Sequence, residues 1–399
     1  MEQDNNKKLI LKPKKEESLK RFHPWVFSGA IEKKPDNLTE GEIVQVISAE
    51  GEFLGTGHYQ IGSIAVRILS FRDEKIDAGF YTDAIARAYQ LRREINLIRT
   101  DNDTYRLVHG EGDNLPGLIV DMYGGTAVVQ AHSVGMHRDK ETIVAALQTV
   151  LGDENLKHVF YKSEGTLPFK ADIDPSDDYL LGGKDVNFTA TENGLKFNID
   201  WLRGQKTGFF IDQRDNRELV EAYSKDKHVL NMFSYTGGFS VYALRGGAKS
   251  VTSVDSSSKA VALANENVSL NFGDDARHSS SSQDAFKFLR ESPDDHYNMV
   301  ILEPPAFAKH RGAVRNALQG YKKLNLAALQ TIKPGGFLFT FSCSQVITKE
   351  QFRLAVFSAA AISGRKVQIL HQLEQPADHP VNIYHPEGEY LKGLVLHVE

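Results

Sequence analysis

The chain has 399 residues, enough for two or three domains, and its 41% hydrophobic and 25% charged content is typical of a soluble globular protein. The single cysteine excludes an internal disulfide framework and a multi-cysteine metal site, and it fits a reducing cytoplasm. The net charge of -5 argues against a surface coated with basic residues. We find neither a secretory signal nor an apolar stretch long enough to cross a bilayer, so we expect a cytoplasmic protein without membrane association.

The first region, residues 1–75, combines a basic segment with short strand-like runs. The runs lie at residues 42–47, 53–58 and 64–71 and are separated by glycines, which predicts a small barrel or sandwich. The basic segment consists of Lys7, Lys8, Lys12, Lys14, Lys15, Lys20 and Arg21. Such a charge run is most often a solvated face, but a local basic patch is also compatible with nucleic acid.

The second region, residues 76–186, mixes strands and helices without a regular βαβ repeat. This irregular order predicts a small α+β domain. We expect helices at residues 81–97 and 140–151, and strands at residues 105–108, 117–121, 126–130 and 158–162. Residues 170–185 are rich in aspartate, proline and glycine, and this composition predicts a linker.

The third region, residues 187–399, opens with a hairpin and then alternates strands with helices. Asn193-Gly194 between two strand-like runs is the strongest short hairpin signal. The alternation predicts an α/β domain with a parallel, doubly wound sheet. We expect helices at residues 238–246, 259–271 and 313–332, and strands at residues 228–232, 250–254, 298–302, 337–341, 367–373 and 392–397.

A glycine turn after the first strand of this region predicts a cofactor site. The strand ends near Asn231, and Gly237-Gly238 would bring backbone N–H groups close to a ligand. Asp255 ends the second strand, where an acid can bind ribose hydroxyls, and Asp284 follows the third, where it could accept a hydrogen bond from adenine. Taken singly, the glycines are equally compatible with an ordinary tight turn and Asp255 with a helix N-cap.

Two further features favour S-adenosylmethionine over a nicotinamide dinucleotide. The first is Glu303-Pro304-Pro305-Ala306-Phe307 after the fourth strand. Its prolines stiffen the loop, which could hold a flat base against Phe307 with Glu303 facing the polar edge of the base. Taken alone, the prolines are better explained as a break between strand and helix.

The second feature is Cys343, the only cysteine, which follows the strand at residues 337–341. Ligands of open α/β sheets bind outside the carboxyl ends of the strands. A thiolate there can act as a covalent nucleophile, and a free thiol with a pKa of about 8.5 needs only modest tuning for this role. A free cysteine also often fills space in a protein core, so position alone leaves both interpretations open.

The chain resembles the bacterial large-subunit rRNA cytosine-5 methyltransferases that carry an N-terminal PUA domain. The resemblance spans nearly the whole chain and is carried by residues 23–30 (HPWVFSGA), 111–118 (EGDNLPGL), 206–214 (KTGFFIDQR), 231–239, 304–305, 341–344 (FSCS), 377–380 (ADHP) and 386–388 (PEG). The FSCS segment separates the cytosine enzymes from relatives that methylate guanine.

The resemblance implies three domains: a PUA domain at 1–75, a central α+β domain at 76–186 and a class I (Rossmann-like) methyltransferase domain at 187–399. It implies Cys343 as the nucleophile, with Glu303 as a second catalytic residue and Pro304, Pro305 and Phe307 at the substrate. It also implies ribosomal RNA as the partner, no metal, and leaves a homodimer open. The implied S-adenosylmethionine contacts are Lys206, Thr207, Phe209, Asp212, Gln213, Asn231, Ser234, Tyr235, Thr236, Gly237, Asp255, Ser256, Asp284 and Ala285.

This chain departs from the family pattern at two positions. Glu303 stands where the family usually has aspartate, which keeps the charge but moves the carboxylate by one methylene group. Met232 stands where cysteine is frequent, and we interpret it as a packing substitution. Three other functions stay open: an RNA methyltransferase with guanine nitrogen or uracil carbon 5 as its target, a noncatalytic RNA-binding or ribosome-assembly protein, and, less compatible with Cys343, a dehydrogenase.

Overall fold

The protein was analysed as a computed structural model, which describes residues 7–168, 173 and 176–399. The described chain forms two compact units. The first comprises Met1–Thr191 as far as it is described, Ile199–Phe209 and Ala377–Gly388, and the second comprises Glu192–Asn198, Phe210–Pro376 and Glu389–Glu399. The chain therefore passes between the units several times, and the predicted boundaries near residues 75 and 186 stay a prediction.

The N-terminal part of the first unit contains a six-stranded sheet with the order β2-β6-β5-β4-β1-β3. Its elements are β1 (Lys7–Leu11), α1 (Glu17–Lys20), β2 (Trp25–Phe27), β3 (Ile31–Lys33), β4 (Ile43–Ile47), β5 (Phe53–Tyr59) and β6 (Ile64–Ser70). The three predicted runs are confirmed as β4, β5 and β6. The basic segment is only partly a charged surface, because its first residues form β1, in which Leu9 and Leu11 are fully buried.

The rest of the first unit contains a five-stranded sheet with the order β11-β10-β9-β8-β7. The pair β9 and β10 is parallel and the other pairs are antiparallel. Its elements are α2 (Ala78–Glu94), β7 (Thr104–His109), β8 (Leu118–Tyr123), β9 (Thr126–Ala131), α3 (Val134–Arg138), α4 (Lys140–Asn155), β10 (His158–Tyr161) and β11 (Asp178–Leu181). The linker prediction is wrong at β11, and the part of it at residues 170–172, 174 and 175 lies outside the described residues.

The motif at residues 111–118 has a structural anchor in Asp113. Its carboxylate accepts hydrogen bonds from both terminal nitrogens of Arg92, at 2.5 and 2.8 Å, and from the His109 backbone N–H at 2.6 Å. The Arg92 side chain is fully buried and also donates to the Asp378 carbonyl at 2.8 Å. One buried ion pair therefore joins α2, the motif loop and the returning segment Ala377–Gly388.

Replacing Asp113 with asparagine is expected to destabilise the first unit strongly. The substitution keeps the side-chain size but leaves the buried Arg92 guanidinium without its counter-ion, a loss of about 3–5 kcal/mol. Denaturant unfolding monitored by tryptophan fluorescence measures it. The matched control is Asp101→Asn, because Asp101 pairs with Arg99 at 2.9 Å on the surface and such pairs contribute only about 0–1 kcal/mol. Equal effects of the two substitutions would contradict the role assigned to Arg92–Asp113.

The second unit contains a seven-stranded sheet with the order β16-β15-β14-β17-β18-β20-β19. The five strands from β16 to β18 are parallel, as predicted, and β20 is antiparallel to both of its neighbours. The strands are β14 (His228–Met232), β15 (Ser250–Asp255), β16 (His278–Ser282), β17 (Tyr297–Leu302), β18 (Ile332–Ser342), β19 (Val367–Leu373) and β20 (Lys392–Val398). They follow a hairpin formed by β12 (Thr189–Glu192) and β13 (Leu195–Asn198). Its turn contains Asn193 and Gly194, which both have positive φ, and the predicted hairpin is confirmed.

Helices precede, connect and follow the parallel strands of this sheet. They are α5 (Arg214–Tyr223), α6 (Gly238–Arg245), α7 (Ser258–Phe272), α8 (Ala285–Glu291), α9 (Val314–Thr331) and α10 (Lys349–Ser363). Apolar side chains of β14, β17 and β18 are fully buried with those of α9, which fixes the strands in one register. Among the described residues, no helix combines the length and the apolar character needed to span a bilayer.

Candidate active site

Parallel register brings several predicted residues to one edge of the seven-stranded sheet. Met232 of β14 is paired with Val254 of β15 and with Leu302 of β17, and Leu302 is paired with Thr340 of β18. The strands therefore end at the same level, and the residues that follow them emerge together. This edge receives Asp255, Glu303, Cys343 and the loop at residues 233–237.

The loop after β14 has an unusual backbone. Phe233, Tyr235 and Gly237 have φ values of 58°, 43° and 77°. The Ser234 N–H donates to the Val254 carbonyl at 3.0 Å, and the Gly237 N–H donates to the Ser234 carbonyl at 2.7 Å. Glycine at 237 is required twice, by its left-handed φ and because a Cβ there would lie 2.9 Å from the Cβ of Ala264. Hydrogen bonds and close packing therefore fix the conformation of this segment, which is not an ordinary two-residue turn.

Asp255 accepts a hydrogen bond from the backbone of this loop and is not the N-cap of α7, the helix that follows it. Its Oδ2 accepts the Tyr235 N–H at 3.0 Å and its Oδ1 accepts the Ser257 N–H at 2.9 Å. The N-cap of α7 is Ser257, so the N-cap interpretation of Asp255 is wrong. Asp284, in contrast, caps α8 by accepting the Lys287 N–H at 2.8 Å. Ser256 is exposed, and Ala285 is the first residue of α8.

Several buried polar atoms near this edge lack a hydrogen-bond partner within the described part of the chain, among them Asn231 Oδ1, Ser234 Oγ and Asp212 Oδ1. Buried polar groups without partners cost roughly 1–3 kcal/mol each, so they are typical of a place where a ligand supplies the partner. The set contains a carboxylate, an amide oxygen and a hydroxyl. It fits a ligand that carries a positive charge together with hydroxyl and amino groups, as S-adenosylmethionine does.

Glu303 lies within a network of polar side chains. Its Oε1 accepts a hydrogen bond from the Gln213 side-chain amide at 2.7 Å, and Gln213 in turn accepts one from Asn216 at 2.7 Å. Asp212 accepts the Tyr390 hydroxyl proton at 2.7 Å. Gln213 thus fixes one oxygen of Glu303 and leaves the second oxygen for another partner.

The backbone around Cys343 is held on both sides. The Ser342 hydroxyl donates to the Tyr321 oxygen at 2.9 Å, and the buried Lys392 ammonium donates to the carbonyls of Ser344 and Ile347 at 2.6 and 2.8 Å. Cys343 Sγ lies 4.0 Å from the carbonyl oxygen of Pro304. The thiol is therefore positioned beside the proline loop that follows β17.

Lys392 and Tyr390 are site residues that sequence reasoning missed. Neither lies in a recognisable motif, and the chain separates each of them widely from the residue that it contacts. The one available signal was a lysine at the start of an apolar strand, since an ammonium group buried to 5% exposure needs fixed acceptors. Burial lowers the pKa of Lys392 to about 8, an effect that the nearby Cys343 opposes.

Burial and negative neighbours disfavour the charged forms of both predicted catalytic residues. Burial, followed by the charge of Asp212, raises the pKa of Glu303 to about 8, although the Gln213 hydrogen bond acts in the opposite direction. Burial, Asp212 and Glu303 raise the pKa of Cys343 to about 11. The expected modest tuning is therefore not enough, because with a pKa of about 11 the Cys343 thiol favours its protonated form at neutral pH.

The predicted substrate residues differ in their surroundings. Pro304 is buried and Pro305 is exposed. The half-buried Phe307 packs against Tyr321, with ring centroids 4.7 Å apart and an angle of 35° between the rings. One face of Phe307 is thus occupied by Tyr321, which fixes the orientation of its ring.

The remaining predicted cofactor residues, Lys206, Thr207 and Phe209, belong to the first unit. Thr207 is buried, and its hydroxyl donates to Asp121 at 2.6 Å. Phe209 is buried as well, whereas Lys206 is exposed with a φ of 53°. Thr207 and Phe209 therefore have structural roles within this unit, and the assignment of all three to the cofactor stays a prediction.

Two protein families match the chain. A PUA-like domain matches residues 9–71, and the S-adenosylmethionine-dependent methyltransferase family matches residues 105–388. The chain belongs to the S-adenosylmethionine-dependent methyltransferase family, and S-adenosylmethionine is its cofactor. The fold is accordingly mixed α/β, with an N-terminal PUA-like domain.

Curated relatives match over nearly the full length. The ribosomal RNA large subunit methyltransferase I of Alteromonas mediterranea is 40% identical over 394 residues, which cover 98% of this chain and 98% of the relative. The protein of the same name from Tolumonas auensis is 40% identical, with coverage of 97% and 98%.

Solved structures also match. A protein from Streptococcus mutans, assigned as a SAM-dependent methyltransferase, aligns with a TM-score of 0.82 and 25% identity over 98% of this chain and 100% of its own. A second protein, assigned as a methyltransferase and complexed with SAH, aligns with a TM-score of 0.83 and 26% identity over 98% of this chain and 100% of its own.

We expect Glu303→Gln to lower the pKa of the Cys343 thiol, because it removes a negative neighbour. Cys343 is the only thiol, so its reaction with Ellman's reagent measured from pH 7 to 10 gives the thiolate fraction directly. Removing one adjacent charge should lower the pKa by about one unit and raise the rate at pH 9 roughly tenfold. Glu374→Gln, which changes an exposed carboxylate, is the control. Identical pH profiles in the unchanged protein and both variants would contradict an effect of the Glu303 charge on the pKa of Cys343.

Proposed function

We propose that this protein transfers a methyl group from S-adenosylmethionine to carbon 5 of a cytosine in large-subunit rRNA, through a covalent adduct with Cys343. The observation that supports the proposal most is the emergence of Glu303 and Cys343 from the ends of the adjacent parallel strands β17 and β18. The names of the curated relatives support the rRNA substrate. The predicted cytoplasmic location, the homodimer and the absence of a metal remain parts of the hypothesis.

Cytosine needs a nucleophile because its carbon 5 is not reactive enough by itself. In the proposed reaction the Cys343 thiolate forms a bond to carbon 6, and carbon 5 becomes enamine-like. Carbon 5 would then form a bond to the methyl group of S-adenosylmethionine as the bond between that methyl group and sulfur breaks, and S-adenosylhomocysteine would leave. A base then removes the carbon 5 proton, the electron pair re-forms the 5,6 double bond, and the bond between sulfur and carbon 6 breaks. This sequence divides one difficult substitution into easier steps. The chain has no second cysteine for the proton removal, so water or a carboxylate is the proposed base.

Glu303 is proposed to act in its protonated form. With a pKa of about 8 it carries a proton at neutral pH, so its carboxyl group can donate a hydrogen bond to ring nitrogen 3 of cytosine. Such a donor withdraws electrons from the ring and favours thiolate addition at carbon 6. Gln213 holds Oε1 of Glu303 and thereby compensates for the extra methylene group relative to the aspartate that is usual in the family.

The proposed cofactor contacts rest on the polar atoms of Asn231, Ser234 and Asp212 described above and on the fixed loop at residues 233–237. Asn231, Ser234 and Asp212 would supply polar partners to bound S-adenosylmethionine, and Tyr235, Thr236 and Gly237 would supply loop contacts. Asp255 and Asp284 keep carboxylate lone pairs available for ribose and adenine besides the backbone groups that they bind. S-adenosylmethionine supplies the electrophilic methyl group when it is bound.

Cys343→Ala is expected to abolish 5-methylcytosine formation. Unmodified large-subunit rRNA is incubated with S-adenosylmethionine and either the unchanged protein or the variant, and the digested nucleosides are identified by mass spectrometry. RNA that contains 5-fluorocytidine should accumulate a covalent complex with the unchanged protein only, because fluorine cannot leave as a proton does. Cofactor binding by the variant, measured by calorimetry with S-adenosylhomocysteine, serves as the folding control.

The other outcomes distinguish the remaining functions. A methylated guanine whose yield is unaffected by Cys343→Ala would establish another target atom and refute the covalent step. If the product is methylated uracil and Cys343→Ala abolishes it, Cys343 is still the nucleophile but the target nucleobase is uracil. The absence of product with both rRNA and ribosomal particles, together with intact cofactor binding, would favour a noncatalytic RNA-binding protein.

The pH dependence of the methylation rate tests the protonated form of Glu303. We expect the rate to rise with pH as the Cys343 thiolate forms and to level off above about pH 8, where Glu303 loses its proton. Glu303→Gln should lower the rate constant by about 10²-fold or more and remove the levelling near pH 8, whereas Glu303→Asp should keep it. An unchanged levelling near pH 8 in Glu303→Gln would assign it to another group.

The pH dependence of unfolding gives an independent check on the raised pKa of Glu303. Because its pKa is raised from 4.5 to about 8 in the folded protein, the native state binds more protons than the unfolded state between these pH values. Stability should therefore fall with rising pH in this window, by at most about 1.4 kcal/mol per pH unit. Glu303→Gln should remove this part of the slope.

A further inference from the structure

An exposed aromatic cluster lies on the first unit and contains none of the residues assigned above. Phe22, Phe27 and Tyr384 are 48%, 46% and 50% exposed, and the neighbouring Ile383 is 86% exposed. The rings of Phe22 and Tyr384 lie 5.3 Å apart, and those of His23 and Phe27 lie 6.2 Å apart. Two distant parts of the sequence thus build one surface, which we name the aromatic platform and define as Phe22, Phe27 and Tyr384.

Phe22 occupies a backbone position that is unfavourable for a bulky side chain. It follows α1 with a φ of 62°, and the N–H groups of Phe22 and His23 donate to the carbonyls of Leu19 and Ser18 at 2.8 and 2.9 Å. This arrangement at the end of a helix normally contains glycine, and a larger residue there costs about 1 kcal/mol or more. Deep burial of the Phe22 ring does not offset this cost, because about half of the residue is exposed. Such an exposed and strained aromatic residue is typical of a binding surface.

Cations surround the aromatic platform in the chain. Lys20 and Arg21 immediately precede Phe22, and the Lys12 ammonium donates to the carbonyl of Gly29, two residues after Phe27, at 3.0 Å. Lys14 and Lys15 are exposed and form no ion pair with another described residue. Lys20 and Arg21 are paired, with Glu52 at 2.8 Å and with Glu17 at 3.9 Å, but on the surface. Lys12, Lys14 and Lys15 thus offer positive charge to a polyanion, whereas the charges of Lys20 and Arg21 are partly offset by Glu52 and Glu17.

We infer that the aromatic platform stacks against unpaired bases of RNA while the adjacent lysines contact phosphates. This inference rests on the proposed function and adds a substrate-binding surface to it. Aromatic rings stack on bases of any sequence, and unpaired bases are the part of RNA that proteins can reach in this way. The flanking lysines favour RNA over a protein partner, because lysine is depleted in protein–protein interfaces.

The test compares leucine with aromatic substitutions in the full-length protein. Binding of a short fluorescein-labelled single-stranded RNA of mixed sequence is measured by anisotropy, with a fully paired duplex of the same length alongside. Phe22→Leu and Tyr384→Leu keep an apolar side chain but remove the π-face, and each should weaken single-strand binding about fivefold or more. Phe22→Trp should retain binding. Phe357→Leu, which changes a 65% exposed phenylalanine of α10, is the matched control and should bind normally.

Two outcomes would overturn the inference. Unchanged single-strand binding by the double variant Phe22→Leu/Tyr384→Leu would remove the aromatic platform from RNA recognition, and a defect confined to ribosomal particles would identify it as a protein-docking surface. An equal loss of duplex binding would show recognition without base stacking. The binding assay does not depend on catalysis, so it stands even if 5-methylcytosine is not the product. If methylation does occur, the double variant should raise KM and leave kcat unchanged.

Discussion

The candidate active site depends on the parallel pairing of β14, β17 and β18. Because these strands end at one level, the chain emerges three times at the same edge, as the loop at residues 233–237, as Glu303 and as Cys343. A slip of one residue in any of these strands would turn its side chains to the opposite face of the sheet. The register is maintained by fully buried apolar residues that no catalytic argument would single out. The core of the second unit is thus also the frame that positions the chemistry.

Electrostatics distinguishes this site from an arrangement optimised for stability. Burial, followed by the negative charge of Asp212, disfavours the charged forms of Glu303 and Cys343. Strongly perturbed pKa values in one cluster are typical of functional sites, where stability is sacrificed for reactivity. A carboxyl group and a thiol that both favour their protonated forms at neutral pH therefore belong to one site. The thiolate requires either added positive charge or hydrogen bonds from a substrate.

Sequence reasoning succeeded where local pattern and burial agree. The strands β14 and β19 have the predicted bounds, and the Asn193-Gly194 turn is correct, because these features depend on neighbouring residues. It failed at β2 and β3, which have three residues each and are too short to show alternation, and at β11, whose aspartate-rich surroundings resemble a linker. The roles of Tyr390 and Lys392 were invisible because they arise from contacts with residues far away in the chain. The raised pKa of Cys343 likewise depends on burial and then on Asp212, which is distant in sequence.

The return of Ala377–Gly388 to the first unit has a consequence for synthesis on the ribosome. Asp378 accepts the Arg106 backbone N–H at 2.9 Å and the Arg92 guanidinium at 2.8 Å, so the interior of the first unit is completed by residues made near the end of translation. At about 5–20 residues per second, the chain from residue 209 to residue 388 takes roughly 10–40 seconds to synthesise. During that interval the Arg92 guanidinium has Asp113 but not the Asp378 carbonyl as an acceptor, and the Arg106 N–H lacks the Asp378 carboxylate. The first unit therefore reaches its full set of buried hydrogen bonds only late in synthesis.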